Sequence, residues 1–200
     1  MILNTGNRTD IPAFFSTWFY QRIKEGYVLV RNPYDPRQIL RYRLDPEVVD
    51  CLCFCTKNPE PMFSRLKELG PFRQLWYVMI TPYGKEIEPY VPKKQKVIAS
   101  FRKLSQKIGV GSVIWRYDPI FLTDVYDLTY HFHAFEAMAQ ALNGCTKRCV
   151  ISFIDLYEKT RRNFPQAKRV EKKDRIAIGK EFVKIGKKNG IQIMTCCEGT

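Results

Sequence analysis

Histidine is scarce in this chain: His131 and His133 are the only two among 200 residues. Two positions apart on a helix they point in different directions, which makes them a poor metal pair. No apolar stretch approaches the roughly 20 residues that a membrane-crossing helix needs, so no membrane partner is expected. The N-terminus has neither a basic lead nor an apolar core of the secretory kind, and no signal peptide is expected. No CxxC pair occurs, and no CxxxCxxC run of the sort that holds an iron–sulfur cluster. That leaves Cys196 and Cys197 as weak metal candidates. No Gly-rich fingerprint follows the first apolar run, which argues against a dinucleotide-binding fold.

What is present is ordinary for a globular protein: 45% hydrophobic and 26% charged residues. A chain of this length can bury a sizeable core as one compact domain, 1–200. Seven cysteines is an odd number, and Cys51, Cys53 and Cys55 alternate along one strand, facing one side and too close for mutual disulfides. Reduced thiols and a cytoplasmic location follow as the expectation. The formal charge is +13, unevenly spread. Residues 145–190 hold 14 Lys/Arg against 5 Asp/Glu, a net of +9.

Short apolar runs recur, and most end in a polar cluster that leads towards a helical stretch. They lie at residues 1–5, 51–55, 75–80, 113–115, 149–154 and 191–194. Between them, Phe15, Phe19 and Ile23 recur at helical spacing until Gly26. Residues 27–31 look extended, and the Pro-, Arg- and Asp-rich stretch 34–50 reads as irregular. Residues 62–69 read as a short helix. Val97, Phe101, Leu104 and Ile108 predict a helix over 93–108. Phe132, Phe135, Met138 and Leu142 predict another, after a long loop over 118–128. Residues 156–169 read as a basic connection, followed by a helix with Ile178, Phe182 and Ile185 inward. Strands alternating with helices imply right-handed βαβ units and a parallel sheet. The expected fold is α/β, a parallel (β/α) barrel of TIM-like type, incomplete, with about six βα units. The chain stops soon after its last strand, so either the natural protein is expected to continue further or the barrel is partial.

Polar residues at strand ends are where such a fold builds a site. Arg8 is read as an anion-binding group, with Asp10 beside it either supporting it or capping the next helix, the cap being preferred. Lys57 is a candidate base, Schiff-base nucleophile or phosphate contact, against a rim lysine reaching water. Asn58 is read as a cap more than a ligand contact. Arg116 and Asp118 share a strand face and can form an ion pair, with Arg116 clamping an anion and Asp118 orienting or acting as general base. His131, near a helix start, is read as a rim acid–base group or a capping or surface residue. Asp155 ends a strand and is a candidate base, with Tyr157 and Lys159 in the following loop as ligand contacts; Ser152 is not paired with it. Glu198 joins this catalytic set beside Cys196 and Cys197.

Five segments carry a resemblance: Arg8-Thr9-Asp10-Ile11-Pro12-Ala13, Thr56-Lys57-Asn58-Pro59, and Trp115-Arg116-Tyr117-Asp118-Pro119. Ser152-Phe153-Ile154-Asp155-Leu156-Tyr157 and Thr195-Cys196-Cys197-Glu198 complete it. Together, in this order, they resemble a bacterial domain-of-unknown-function family. Its longer members carry a further C-terminal cysteine cluster similar to that of radical S-adenosylmethionine enzymes. The resemblance implies an α/β barrel and, only with that segment, an iron–sulfur cluster. Two departures stand out: the cluster-bearing segment is absent, and Cys55 occupies a position where the family typically has tryptophan.

The expected function is enzyme-like binding of a small anionic or phosphorylated ligand at the strand ends. The alternatives are nucleic-acid binding through 145–190 and a truncated, non-catalytic form. Stacking aromatics are sparse in 145–190, which tells against a nucleic-acid platform.

Overall fold

The structure is a computed structural model that describes residues 1–6 and 8–196. The chain divides into two compact units, Met1–Tyr77 and Val78–Thr200. The first contains β1 (Ile2–Asn4), α1 (Ile11–Phe14), α2 (Ser16–Glu25), β2 (Tyr27–Arg31), β3 (Ile39–Arg43) and β4 (Cys51–Thr56). Two 3-10 turns follow, Glu60–Met62 and Leu66–Leu69, and then β5 (Gln74–Met79), which runs across the division. The second contains α3 (Lys94–Ile108), β6 (Val113–Ile120), α4 (Leu128–Ala141), β7 (Arg148–Phe153), α5 (Glu158–Asn163), α6 (Lys172–Lys188) and β8 (Gln192–Thr195).

Six strands form one mostly parallel sheet in the order β1-β4-β5-β6-β7-β8, which makes the fold α/β as expected. It does not close into a barrel among the described residues. None of the helices among them is long and apolar enough to cross a membrane.

In the first unit, β4 alternates cleanly. Leu52, Phe54 and Thr56 are buried, while Cys51, Cys53 and Cys55 lie half-buried on the other face. Phe54 stacks on Trp76 with ring centroids 4.2 Å apart and meets Phe19 edge-on at 5.4 Å. The stretch expected to be irregular contains β3, which pairs antiparallel with β2 from Tyr27↔Arg43 to Arg31↔Ile39. Gly26 makes the entry to this hairpin: it ends α2 at φ +74°, a conformation that side-chain-bearing residues rarely adopt. The helix expected over 62–69 is instead the pair of 3-10 turns, with Pro61 inside the first.

In the second unit the core is aromatic. Phe135 of α4 stacks on Trp115 of β6 at 4.6 Å and on Phe182 of α6 at 3.7 Å. Tyr117 meets both phenylalanines edge-on. Val97, Phe101 and Leu104 are buried on α3, and Ile178, Phe182 and Ile185 on α6, as their spacing implies. Two expectations are corrected. β6 continues to Ile120, so the first three residues of the expected loop are strand, and α5 occupies part of the expected basic connection.

Candidate functional site

In the first unit, the polar loop after β1 is held by Asp10. One carboxylate oxygen accepts from the Ala13 N–H at 3.0 Å, capping α1, and the other accepts from the Lys57 N–H at 2.8 Å. Asp10 therefore ties the loop after β1 to the end of β4, and both oxygens have backbone donors. Asn58 makes a local turn: its Oδ1 accepts from the Glu60 N–H at 3.3 Å, while its own N–H donates to Thr56 Oγ1 at 2.9 Å. The Lys57 residue is half-buried.

Arg8 is exposed and donates from Nη2 to the Arg31 carbonyl at 2.7 Å. It lines a cavity of about 480 Å³ at the C-terminal end of β1. Arg22 and Arg31 line the same cavity, with Trp18, Phe19 and Tyr42 and aliphatic residues of β1 and the hairpin. Among the described residues, no aspartate or glutamate lines it. Arg22 forms a double contact with Glu25 at 2.6 and 2.7 Å, but its Nε is buried with no hydrogen-bond partner. Among the described residues, neither Arg8 nor Arg31 pairs with a carboxylate. Of the expected site residues that are described, Arg8 lines this cavity; Asp10, Lys57 and Asn58 do not. Arg22, Arg31, Trp18 and Tyr42 were not anticipated. One signal was available: Trp18 and Arg22 are four apart and share a helix face.

The second unit treats its candidates differently. Arg116 and Asp118 form the expected ion pair, at side-chain exposures of 21% and 17%. Ser152, left unpaired in the sequence reading, donates its hydroxyl to the other Asp118 oxygen. All three sit in the half-buried class. Asp155 is exposed and accepts from the Tyr157 hydroxyl at 3.1 Å; Tyr157 and Lys159 are exposed as well. An unanticipated pair anchors the loop before α3: Glu88, nearly buried, accepts from Thr81 Oγ1 at 2.7 Å and pairs with Lys94.

His131 requires correction: it is neither a cap nor a surface residue, but fully buried. Its Nε2 lies 2.9 Å from the Phe121 carbonyl, which can only accept, so Nε2 carries the proton. Nδ1 then accepts from the Tyr117 hydroxyl at 2.8 Å. Burial lowers the histidine pKa below its ordinary 6.5 and raises that of the Tyr117 phenol well above 10. The pair is a neutral, satisfied core contact, because β6 runs on past Trp115 and carries Tyr117 under α4.

Glu198 and Cys197 lie outside the described residues. Cys196 is half-buried, and its N–H donates to the Ile151 carbonyl at 3.1 Å. Among the described residues, no group of three or more His, Cys, Asp or Glu side chains is arranged to hold a metal. The nearest thiols, Cys51 and Cys53, have sulfurs 3.9 Å apart, but burial and the neighbouring Cys51 and Cys55 push the Cys53 pKa up to about 11. Within 145–190, Phe153 and Phe182 are buried and Phe164 packs against Phe121, which leaves Tyr157 as the exposed aromatic ring.

No curated protein and no solved structure matches this sequence. A family model described as a domain of unknown function (DUF1848) matches residues 2–200, and the chain belongs to that family.

Proposed function

We propose that this protein binds a small anionic ligand, a phosphate or carboxylate compound, in the cavity at the C-terminal end of β1. One observation carries the reading: three arginines line a cavity that, among the described residues, no carboxylate lines. Arginine presents a planar fork of donors suited to two-point contact with an oxyanion. Arg8 and Arg31 have no carboxylate to satisfy them among the described residues, so an anion supplies what both need, while Arg22, held by Glu25, adds a third guanidinium to the wall. The position is favourable too, since open parallel sheets bind ligands outside the carboxyl ends of their strands. The sequential strand order supports a finer reading of the sheet as a segment of a (β/α) barrel.

Asp10 has a positioning role here. It fixes the loop that carries Arg8 by holding two backbone N–H groups. The Arg8 contact to the Arg31 carbonyl uses one of five guanidinium donors and leaves the rest for a ligand.

The test is thermal unfolding with and without millimolar inorganic phosphate, in the wild type and in an Arg8→Ala, Arg31→Ala double variant. A ligand that binds only the folded state raises the melting temperature. A rise of several degrees in the wild type and little or none in the variant is the expected result. An equal rise in both, or none in either, contradicts the proposal.

A further inference from the structure

We infer that the ligand is an organic anion with a flat aromatic body, and that Trp18 is the residue that selects it. This rests on the anionic-ligand reading above and adds the identity of the rest of the molecule.

Size is the first argument. The cavity measures about 480 Å³. Pockets of roughly 300–1,000 Å³ hold drug-sized organic ligands. A bare tetrahedral oxyanion is comparable to a few waters of about 30 Å³ each and leaves most of that space unfilled. Beyond the arginines the wall is mainly apolar, with aliphatic residues of β1, β2 and the segment after β3 beside Asn4, Thr5 and Thr9.

Trp18 is the second argument. Of three tryptophans, Trp76 and Trp115 have no exposure, while Trp18 is 44% exposed and lines the cavity. An indole face left open beside a cationic end is a stacking surface. Trp18 shares this cavity with Arg8 and Arg31, which have no carboxylate partner among the described residues. That combination matches a ligand with a π-face and an anionic group a few bonds away. Tyr42, from β3, adds a second ring to the lining.

The probes are phenyl phosphate, methyl phosphate, inorganic phosphate and phenol, titrated into the whole chain by calorimetry. Tryptophan fluorescence is followed in parallel, where Trp18 is the one indole exposed to solvent among the described residues. Phenyl phosphate is expected to bind at least tenfold more tightly than methyl phosphate and to quench the emission. In Trp18→Ala that preference falls to about twofold while methyl phosphate binding is retained. In Arg8→Ala both phosphates weaken. Equal binding of phenyl and methyl phosphate by the wild type, still dependent on Arg8, overturns the aromatic inference and leaves the anionic reading standing. No binding by any phosphate, or phenol binding as tightly as phenyl phosphate, overturns both.

Discussion

Two groups of arginines, one in each unit, are held in opposite ways. In the second, Arg116 is held by Asp118, which also accepts from the Ser152 hydroxyl. In the first, Arg8 and Arg31 line a cavity and have no carboxylate partner among the described residues. A charge matched by its own chain orders structure. A charge left facing an open apolar cavity has its remaining hydrogen-bonding capacity available to a ligand. Sequence spacing made Arg116 and Arg8 look alike as site residues, and the difference lies in their surroundings.

That contrast can be broken from either side. The heaviest loss is expected in the aromatic core of the second unit, where Phe182→Ala removes a ring stacked 3.7 Å from Phe135. A stability loss of about 3–5 kcal/mol in urea denaturation is expected. Asp118→Ala strips the partner from Arg116 and the acceptor from Ser152, at a cost of about 1–3 kcal/mol. If the same change leaves stability unaltered, Arg116 is not structurally engaged and the comparison collapses.

Acid sharpens the comparison further. Burial holds the folded-state pKa of His131 below 6.5, so the neutral form is the native one. Unfolded chains take up the proton near 6.5, the folded protein only at lower pH. The stability His131 contributes is therefore intact above about 6.5 and declines as pH falls from there towards the native pKa. Denaturation midpoints measured between pH 8 and 5 should show a decline that is absent in a His131→Gln variant. A smaller effect, about 1 kcal/mol, is expected for Asp10→Ala, which removes the α1 cap and the acceptor for the Lys57 N–H. Smallest of all, Arg8→Ala should change stability by less than about 0.5 kcal/mol, as an exposed side chain does.

Local periods were legible. The alternation of Cys51–Thr56 placed one face of β4 inward, and the four-three-four spacing from Val97 to Ile108 located α3 within one residue at its start. What depended on distant partners was not. Residues 39–43 become a strand by pairing with 27–31, and the charge and proline density between them hides that pairing. Arg22 and Arg31 become cavity residues only once the hairpin stands beside α2. His131 looked like a rim group because nothing local shows that β6 extends to Ile120 and brings a phenol to it. Caps, by contrast, are set within a few residues, and Asp10 takes the capping role that its position before α1 suggests.

The most direct measurement is a crystal structure of the chain with 4-iodophenyl phosphate, locating iodine by its anomalous signal. The expected result is phosphate density within hydrogen-bond distance of Arg8, Arg22 or Arg31, with the iodinated ring against Trp18. Iodine found elsewhere on the protein, with the cavity at the end of β1 holding only water, would contradict it.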